Sequence, residues 1–355
     1  MASRGVAAGS AGGWTAGSPK LCPMTTTRKV TSLDVAKRAG VSRSAVSRVF
    51  TPGASVSDRT ASKVREAAAA LGYRPNVLAR AMLTGKSKII GLVVAYLDNQ
   101  FYPTVLELLS EALEREGYHV LVFMAAHTAN DIEDIVSQIL DYQVDGLVLA
   151  SVALSSDLAN RCRASGVPVV LFNRKLETEG ELAVVSDNHA GGRLAAEHLI
   201  SLGCTRIGHI AGWEGASTQR DREAGFLEGL RSAGLGLFAR EVGDYRLPRA
   251  KDAARRMFTT PNRPDAVFVA NDYMAFGVMD VVRAELGLSV PEDVALIGFD
   301  DVPSAEWPAY SLTTIRQDAP AMVATAVEVL LSEIEGKDVT PPNPLPVSLI
   351  RRSTA

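Results

Sequence analysis

The sequence predicts an α/β protein in which a small helical head precedes a larger domain of parallel β-sheets. Residues 31–50 have the spacing of two short helices joined at a glycine. From Lys88 onward, short apolar runs alternate with amphipathic stretches, which is typical of buried parallel strands covered by helices. The charge changes at the same point, because residues 28–86 carry a net charge of +9 and residues 87–355 a net charge of −14. With 355 residues, 47% of them hydrophobic, the chain is long enough for two or three domains.

The helix pair has recognisable start and stop residues. Thr31 can act as the N-cap of the first helix, with Asp34 three positions later near the positive helix end. Gly40 can adopt the positive φ that ends a helix and allows a tight turn. Ser42 can cap the second helix, whose two valines face inward. The outward-facing side chains of the second helix are then Arg43, Ser44, Ser47 and Arg48.

Two compact helices that cross at a glycine, the second carrying short polar and guanidinium groups, fit the major groove of B-DNA. A basic head on an acidic chain also favours a polyanionic partner. The alternative is an ordinary pair of helices with a solvated, charged face. Residues 57–71 predict a third helix that ends at Gly72 and buries the inner faces of the first two. Residues 76–83 can form a further short helix, which needs a partner because isolated helices of this length are marginal in water.

The larger domain contains at least seven apolar runs, too many for one comfortable open sheet, so we expect two similar lobes. Ligands of open α/β sheets bind beyond the carboxyl ends of the strands, which makes the cleft between the lobes the expected ligand site. The apolar runs are residues 89–96, 119–124, 146–150, 167–172, 207–211, 266–270 and 294–299. The amphipathic stretches include residues 103–116, 131–142, 190–202, 220–233 and 273–286.

Five segments, in their order and spacing, show that the chain resembles the LacI/GalR family of bacterial transcription regulators from about Val30 to Arg351. The resemblance implies a helix-turn-helix head, a hinge helix and a two-lobed effector domain like that of the periplasmic sugar-binding proteins. It also implies a dimer that reads a pseudo-palindromic operator and whose DNA affinity changes when a small molecule binds in the cleft. The matching segments are LDVAKRAGVSRSAVSRVF (33–50), LGYRPNVLAR (71–80), VANDYMAFGVM (269–279), LIGFDDVPSA (296–305) and LTTIRQD (312–318).

The same considerations predict the domain boundaries. Residues 1–27 are rich in Gly, Ala and Ser and are expected to be a disordered extension, within which Met24 is an alternative start to Met1. The head and the effector domain are expected to be joined by a short hinge. The predicted ranges are 28–75 for the helix-turn-helix domain, 76–86 for the hinge helix and linker, and 87–355 for the effector-binding and dimerisation domain, with lobe 1 at about 88–202 and 316–340 and lobe 2 at about 203–315 and 341–352.

The resemblance places six residues of the head against DNA. An arginine at a base position can form two hydrogen bonds with guanine, and the alternative for each arginine is non-specific neutralisation of phosphate. The chain departs from the family at Ala45 and Thr51, where relatives usually have Thr and Asn, which leaves the operator sequence open. The six residues are Arg43, Ser44 and Arg48 at base positions, Ser42 and Ser47 at phosphate positions, and Thr31 at the start of the first helix.

Met82 occupies the hinge position at which the family inserts a leucine between the central base pairs. Such an apolar wedge unstacks a base step and bends the duplex. Leu83 can share this role, and Asn76 and Ala79 complete the expected hinge contacts with DNA. The alternative is that Met82 and Leu83 pack against the hinge of the partner subunit.

The expected effector site collects aromatic and polar side chains that follow strand ends. Arg222 matches the family's cleft arginine, and the alternative is a solvated helix arginine. Asp300 is the first candidate for accepting a hydroxyl, whereas Asp272 is expected to cap the helix that follows it. For Phe101, a place in the lobe core is an equal alternative. The effector-binding set is Phe101, Tyr102, Arg174, Arg220, Arg222, Tyr245, Asn271 and Asp300.

The sequence lacks the patterns of enzymes built on parallel sheets, since it has no GxSxG elbow, no Gly-rich phosphate loop and no His pair at metal spacing. We therefore expect no catalysis, no cofactor and no metal. A periplasmic solute-binding protein is the alternative, but it has no use for a basic head. The three cysteines, Cys22, Cys162 and Cys204, are scattered, which fits a reducing compartment.

We expect a cytoplasmic, nucleoid-associated homodimer without a membrane segment. Its expected partners are double-stranded operator DNA and a small effector, a sugar or an organic acid. The sequence does not choose between an inducer and a co-repressor. The chain ends at SLIRRSTA without an added apolar heptad, so a dimer rather than a tetramer is expected.

Overall fold

The computed structural model describes residues 30–51, 53–74, 86–125, 135, 138–150, 161, 164–176 and 181–355. The chain divides into two units between residues 76 and 77. Within the described ranges, no helix combines the length and the apolar character needed to cross a bilayer. Several predictions lie outside these ranges: those for the extension 1–27, for half of the stretch 131–142, for Cys22 and Cys162, and for the hinge residues Asn76, Ala79, Met82 and Leu83.

The described part of the first unit is helical, as predicted. Its first helix begins at the expected cap, since the Thr31 N–H donates to Asp34 Oδ2 at 2.9 Å. Gly40 and Gly72 end the first and third helices in the left-handed region, with φ of 65° and 64°. The helices are α1 (Ser32–Ala39), α2 (Arg43–Val49) and α3 (Asp58–Leu71). The core between them consists of Val35, Ala36, Val46, Val64, Ala67 and Ala68.

The second unit contains two sheets and the helices that cover them, which confirms the predicted α/β class and its two lobes. A π-helical turn, Val281–Glu285, continues one of these helices. The helices are α4 (Phe101–Arg115), α5 (Asn188–Ser201), α6 (Ser217–Ser232), α7 (Leu247–Phe258), α8 (Asp272–Asp280) and α9 (Ala319–Ile334).

The first sheet is parallel throughout and has the strand order β2-β1-β3-β4-β5. α4 and α9 contribute to the core cluster on this sheet, which includes Leu109 and Met322. We call the first sheet and its helices the first lobe. Its strands are β1 (Ile89–Val94), β2 (His119–Met124), β3 (Gly146–Ala150), β4 (Val169–Phe172) and β5 (Ala183–Val184).

The second sheet has the strand order β11-β10-β9-β8-β6-β7, and only its β10–β11 pair is antiparallel. We call this sheet and its helices the second lobe. Its strands are β6 (Ile207–Ala211), β7 (Ala239–Val242), β8 (Ala266–Val269), β9 (Ala295–Asp300), β10 (Thr313–Gln317) and β11 (Val347–Ile350).

α5 lies on a different lobe from the one we predicted. The sequence placed residues up to 202 in the first lobe, but Ala195, Ala196 and Leu199 of α5 share a core cluster with Ile207 and Phe226 of the second lobe. The chain therefore crosses between the lobes before Asn188. Strand and helix alternation predicts the existence of this helix but carries no information about which of two sheets it covers, and the boundary was wrong for that reason.

α5 and α6 cross so closely that only glycine fits at the crossing. A Cβ atom on Gly192 would overlap the carbonyl oxygen of Arg222, and a Cβ atom on Gly225 would overlap the carbonyl oxygen of His189. Each glycine thus leaves space for the backbone of the other helix. Since Arg222 is the predicted cleft arginine, this crossing fixes its position along the cleft.

We expect Gly192→Ala to lower the free energy of unfolding by at least about 2 kcal/mol, because the backbone of α6 must move away to admit the methyl group. The measurement is urea denaturation followed by circular dichroism. Gly236→Ala is the matched control, since a Cβ atom there would have no neighbour within 4 Å. Equal stability of the two variants would contradict the close crossing.

Candidate functional site

The carboxylate of Asp300, at the carboxyl end of β9, is where the two lobes meet. Asn99 Nδ2, from the loop after β1, donates to Asp300 Oδ2 at 2.9 Å. Gln317 Nε2, at the end of β10, donates to Asp300 Oδ1 at 2.7 Å. Asp300 itself is 4% exposed. Burial raises the pKa of this carboxyl group, although the nearby Arg222 opposes the shift. The site is thus a buried acceptor held by donors from both lobes.

Arg222, on α6, is buried at 2% exposure and all its nitrogens have neighbours, so the alternative of a solvated helix arginine is wrong. Its Nη2 lies 3.5 Å from Asp300 Oδ1. Its Nε donates to Asn188 Oδ1 at 2.8 Å and its Nη1 to the Ala270 carbonyl at 2.6 Å. The guanidinium group lies over the Phe299 ring, 3.6 Å from the ring centroid. The charges of Arg222 and Asp300 therefore compensate each other inside the cleft.

Aromatic rings line the first-lobe side of the same cleft. Tyr102 contacts Tyr96 edge to face with 5.2 Å between ring centroids, and its hydroxyl accepts from Asn173 Nδ2 at 3.0 Å. Burial raises the pKa of Tyr96, so this phenol remains neutral at physiological pH. Both residues of the predicted aromatic pair belong to the first-lobe core, Phe101 at 3% and Tyr102 at 4% exposure, and Tyr102 differs in having a hydroxyl that makes a polar contact.

Arg174 lies between aromatic rings of the second lobe. Its guanidinium carbon is 5.4 Å from the Trp213 ring centroid and 5.9 Å from that of Tyr245. The Tyr245 hydroxyl in turn lies 3.2 Å from Thr218 Oγ1. Arg174 Nε is buried and has no hydrogen-bond partner among the described residues. Arg174 Nε is therefore available to donate a hydrogen bond to a ligand in the cleft.

Two of the predicted site residues make hydrogen bonds to nearby backbone groups. Asn271 Oδ1 accepts from the Met274 N–H at 3.0 Å and caps α8, the role we had predicted for Asp272. The side-chain carbonyl oxygen of Asn271 is therefore occupied by this cap. Arg220 is exposed, and its Nη1 donates to the Gly215 carbonyl at 3.1 Å.

The sequence reasoning missed several polar groups that the structure brings to the site. Asn99 lies in the DNQFY stretch after the first apolar run, and Gln317 is the last residue of β10 within the LTTIRQD segment, so both positions lie at or after strand ends and could have been found by that criterion. Trp213 and Thr218 lie near the end of β6, where the same criterion applies. Tyr96 and Asn173 complete this group.

Further hydrogen bonds join the lobes beside the cleft. Gln100 Oε1 accepts from both the N–H and the hydroxyl of Ser304, at 3.1 and 2.8 Å. The Lys175 N–H donates to Ser217 Oγ at 3.1 Å, and Lys175 Nζ lies 2.8 Å from Asp221 Oδ2. The structure therefore shows the two lobes in direct contact on both sides of Asp300.

In the head, the polar face of α2 is exposed. Ser42 Oγ accepts from the Ala45 N–H at 3.2 Å, which confirms the predicted cap. Arg43 Nε donates to Ser32 Oγ at 3.1 Å, so this side chain lies along α1. The exposed residues among those predicted to contact DNA are Thr31, Ser42, Arg43, Ser44, Ser47 and Arg48.

Comparison with known proteins finds two family models. The model described as bacterial regulatory proteins, lacI family, matches residues 31–76, and the model described as periplasmic binding protein-like domain matches residues 196–355. The sucrose operon repressor of Streptococcus mutans is 31% identical over 318 residues, covering 89% of this chain and 97% of the repressor. The HTH-type transcriptional repressor PurR of Photobacterium profundum is 29% identical over 308 residues, covering 86% of this chain and 92% of its own.

Solved structures resemble the chain over the same extent. The Lac repressor dimer bound to operator and the anti-inducer ONPF has a TM-score of 0.83 and 31% identity, covering 92% of this chain and 99% of that one. The complex of the transcriptional regulator CelR with cellobiose has a TM-score of 0.69 and 30% identity, covering 92% of this chain and 100% of that one. These proteins share both the head and the two-lobed domain.

Asp272, directly behind Asp300, is fully buried and accepts hydrogen bonds from the Thr314 hydroxyl at 2.6 Å and the Val302 N–H at 3.0 Å. Burial, together with the nearby carboxylates of Asp300 and Asp301, raises the pKa of Asp272 to about 8. The folded-state pKa is thus above the unfolded value of about 3.9. The stability that neutral Asp272 contributes is complete below about pH 4 and is lost as the pH rises towards 8.

We therefore expect the free energy of unfolding of the wild type to fall, relative to Asp272→Asn, by up to about 1 kcal/mol per pH unit between pH 5 and pH 7. Denaturant titrations across this range measure the difference. Asp280→Asn, at the exposed end of α8, is the matched control and should follow the wild type. A constant difference between wild type and Asp272→Asn would show that Asp272 is ionised throughout.

Proposed function

The chain belongs to the LacI family of bacterial transcriptional regulators, and on that premise we propose that it represses a carbohydrate or small-metabolite operon under the control of an effector in the cleft around Asp300. It is a ligand-responsive, DNA-binding repressor and not an enzyme. The observation that carries the proposal is the buried Asp300–Arg222 pair of the second lobe, to which Asn99 of the first lobe donates a hydrogen bond at the place where open α/β sheets bind ligands. Because its proposed target is chromosomal DNA, we also propose that the protein acts in the cytoplasm, at the nucleoid.

The chemistry of the cleft favours a neutral ring with several hydroxyl groups. Asp300 and Arg222 compensate each other's charge, so the pair offers an acceptor and donors without a net attraction for ions. The amides of Asn99 and Gln317 add further groups of the kind that hydroxyls bind. Aromatic rings beside these polar groups can pack on the apolar faces of a sugar. We therefore propose a carbohydrate effector; a sugar acid paired with Arg174 is the alternative outcome.

The head would read DNA through the exposed face of α2. Arg48 is the arginine we place at a base edge, because Arg43 already donates to Ser32 in α1 and is directed along the protein. Ser42 and Ser47 would contact phosphate, which fixes the register of the helix on the duplex. The net charge of +9 over residues 28–86 supports this assignment, since phosphate neutralisation supplies much of DNA affinity.

A second copy of the chain would cover the exposed edge of the first sheet. β2 is the edge strand there, and its Val122 and Met124 are 38% and 50% exposed. An unprotected, apolar edge strand is rare in a monomer because it invites pairing. LacI-family repressors act as dimers, and we propose that β2 lies in the dimer interface of this protein.

The DNA assignment is tested on a site selected by the wild type from random double-stranded DNA. We expect Arg48→Ala to weaken binding to that site by about 1–3 kcal/mol and to relax the preference at one base position. The exposed Arg65 on α3 supplies the control variant Arg65→Ala, which has the same change of charge. A loss that is uniform across unrelated sequences would assign Arg48 to phosphate instead.

The effector class is tested by thermal shift with D-ribose, D-xylose, D-glucose, sucrose and cellobiose. We expect at least one sugar to raise the melting temperature of the wild type, because a ligand that binds only the folded state increases the free energy of unfolding. The same sugar should change affinity for the selected DNA site, in either direction. Asp300→Asn should weaken sugar binding about 10-fold or more, because a charged acceptor is lost, while Asp252→Asn on the surface should not. Stabilisation by D-gluconate alone would favour a sugar acid.

A further inference from the structure

The turn that carries Asp300 has an unusual backbone. Asp300 has a φ of 124° and Asp301 a φ of 55°, so two consecutive residues with side chains adopt positive φ. Such conformations are disfavoured for residues other than glycine and persist only where surrounding contacts fix them. The orientation of the Asp300 carboxylate therefore depends on whatever holds this turn.

Asp301 is held by two arginines that do not contact Asp300. Arg316 Nε, on β10, donates to Asp301 Oδ2 at 2.6 Å. Arg352 Nη2, in the segment after β11, lies 2.7 Å from Asp301 Oδ1. The Asp301 side chain is only 4% exposed, whereas Arg352 is 12% and Arg316 48% exposed. The Arg352 contact is thus the less screened of the two ion pairs, whereas the Arg316 contact is the one with hydrogen-bond geometry.

Arg352 is itself fixed to the sheet. Its Nη1 donates to the Leu312 carbonyl at 2.8 Å, and its N–H donates to Thr313 Oγ1 at 2.9 Å. Two residues later, Thr354 Oγ1 donates to the Leu296 carbonyl at 2.7 Å and ties the segment to β9. The C-terminal segment is therefore a rigid support for the Arg352 guanidinium and not a loose tail.

We propose that Arg352, with Arg316, is a positioning residue for effector binding: the two arginines clamp Asp301 and thereby hold Asp300 in the orientation that meets the effector. The proposal rests on the proposed function only in that Asp300 binds the effector. The clamp acts through the backbone, since the two arginines touch Asp301 and the effector-binding carboxylate belongs to the preceding residue. Loss of the clamp lets the disfavoured turn relax and moves the carboxylate away from Arg222.

The next residue supplies a direct readout of the turn. The Val302 N–H donates to the buried Asp272 Oδ2 at 3.0 Å, and this bond requires the turn to keep its conformation. Hydrogen exchange at the Val302 amide therefore measures the clamp without any ligand. Effector affinity measures its consequence at Asp300.

The experiment compares full-length Arg352→Gln with Arg351→Gln, which removes the neighbouring, exposed arginine and changes the net charge equally. Hydrogen exchange by mass spectrometry is followed in peptides that cover residues 299–303, and affinity is measured for the five sugars named above. We expect Arg352→Gln to speed exchange in these peptides and to weaken sugar binding about tenfold. Arg351→Gln should match the wild type in both, and Arg352→Lys should restore part of each.

Asp301→Asn provides a second route to the same result. In a double-mutant cycle, adding Arg352→Gln to Asp301→Asn should change little more, because Asp301→Asn already removes the carboxylate charge that both arginines contact. If Arg352→Gln exchanges hydrogen at residues 299–303 as slowly as the wild type, the proposed clamp is wrong. Weakened sugar binding without faster exchange would contradict it as well. If the wild type binds none of the sugars, the proposed carbohydrate class fails, and the exchange measurement alone still decides whether the clamp exists. If Arg352→Gln does not fold, Arg352→Lys and Asp301→Asn carry the same comparison.

Discussion

A buried carboxylate and a buried guanidinium destabilise a fold unless their remaining hydrogen-bonding groups are also satisfied. Asp300 and Arg222 meet this condition with groups from distant parts of the chain. Asn99 and Gln317 donate to the carboxylate, and Asn188 accepts from the guanidinium. Because each of these residues lies at the end of a different strand or helix, the pair fixes where those elements end relative to one another. The hydrogen bonds to this one charge pair therefore determine how the strand and helix ends are arranged around the cleft.

The two lobes contribute to the cleft in different ways. On the second lobe, Arg222 is placed by the glycine crossing of α5 and α6, and Asp300 lies in a turn backed by the buried Asp272. On the first lobe, Asn99 and Arg174 come from loops that follow β1 and β4, and Arg174 has a nitrogen that no described residue binds. The second lobe thus holds the charge pair, and the first lobe contributes one donor to it and one buried guanidinium nitrogen without a partner among the described residues.

Much of the fold could be predicted because parallel strands buried on both faces are continuous apolar runs. The elements that escaped prediction lack that feature. β10 buries Thr313 and Thr314, whose hydroxyls donate to the Ala355 carbonyl and to Asp272. The strand is therefore buried although its sequence is polar. β7 is an edge strand with two charged residues, the exposed Arg240 and the half-buried Glu241. The site followed the same rule: strand-end residues such as Asp300 were predictable, whereas partners fixed by tertiary packing were not.

The loop after β1 links cleft occupancy to the first lobe. Asn99 donates to Asp300, and the next residue, Gln100, accepts two hydrogen bonds from Ser304 of the second lobe. An effector hydroxyl that donated to Asp300 Oδ2 would compete with Asn99 for that oxygen, and occupancy of the cleft would then act on this loop. Phe101, which follows directly, is packed in the first-lobe core at the start of α4. A well-packed core does not deform gradually, and a shift of this loop therefore has to move α4 as a unit, which is how a small molecule in the cleft can reorganise a whole lobe.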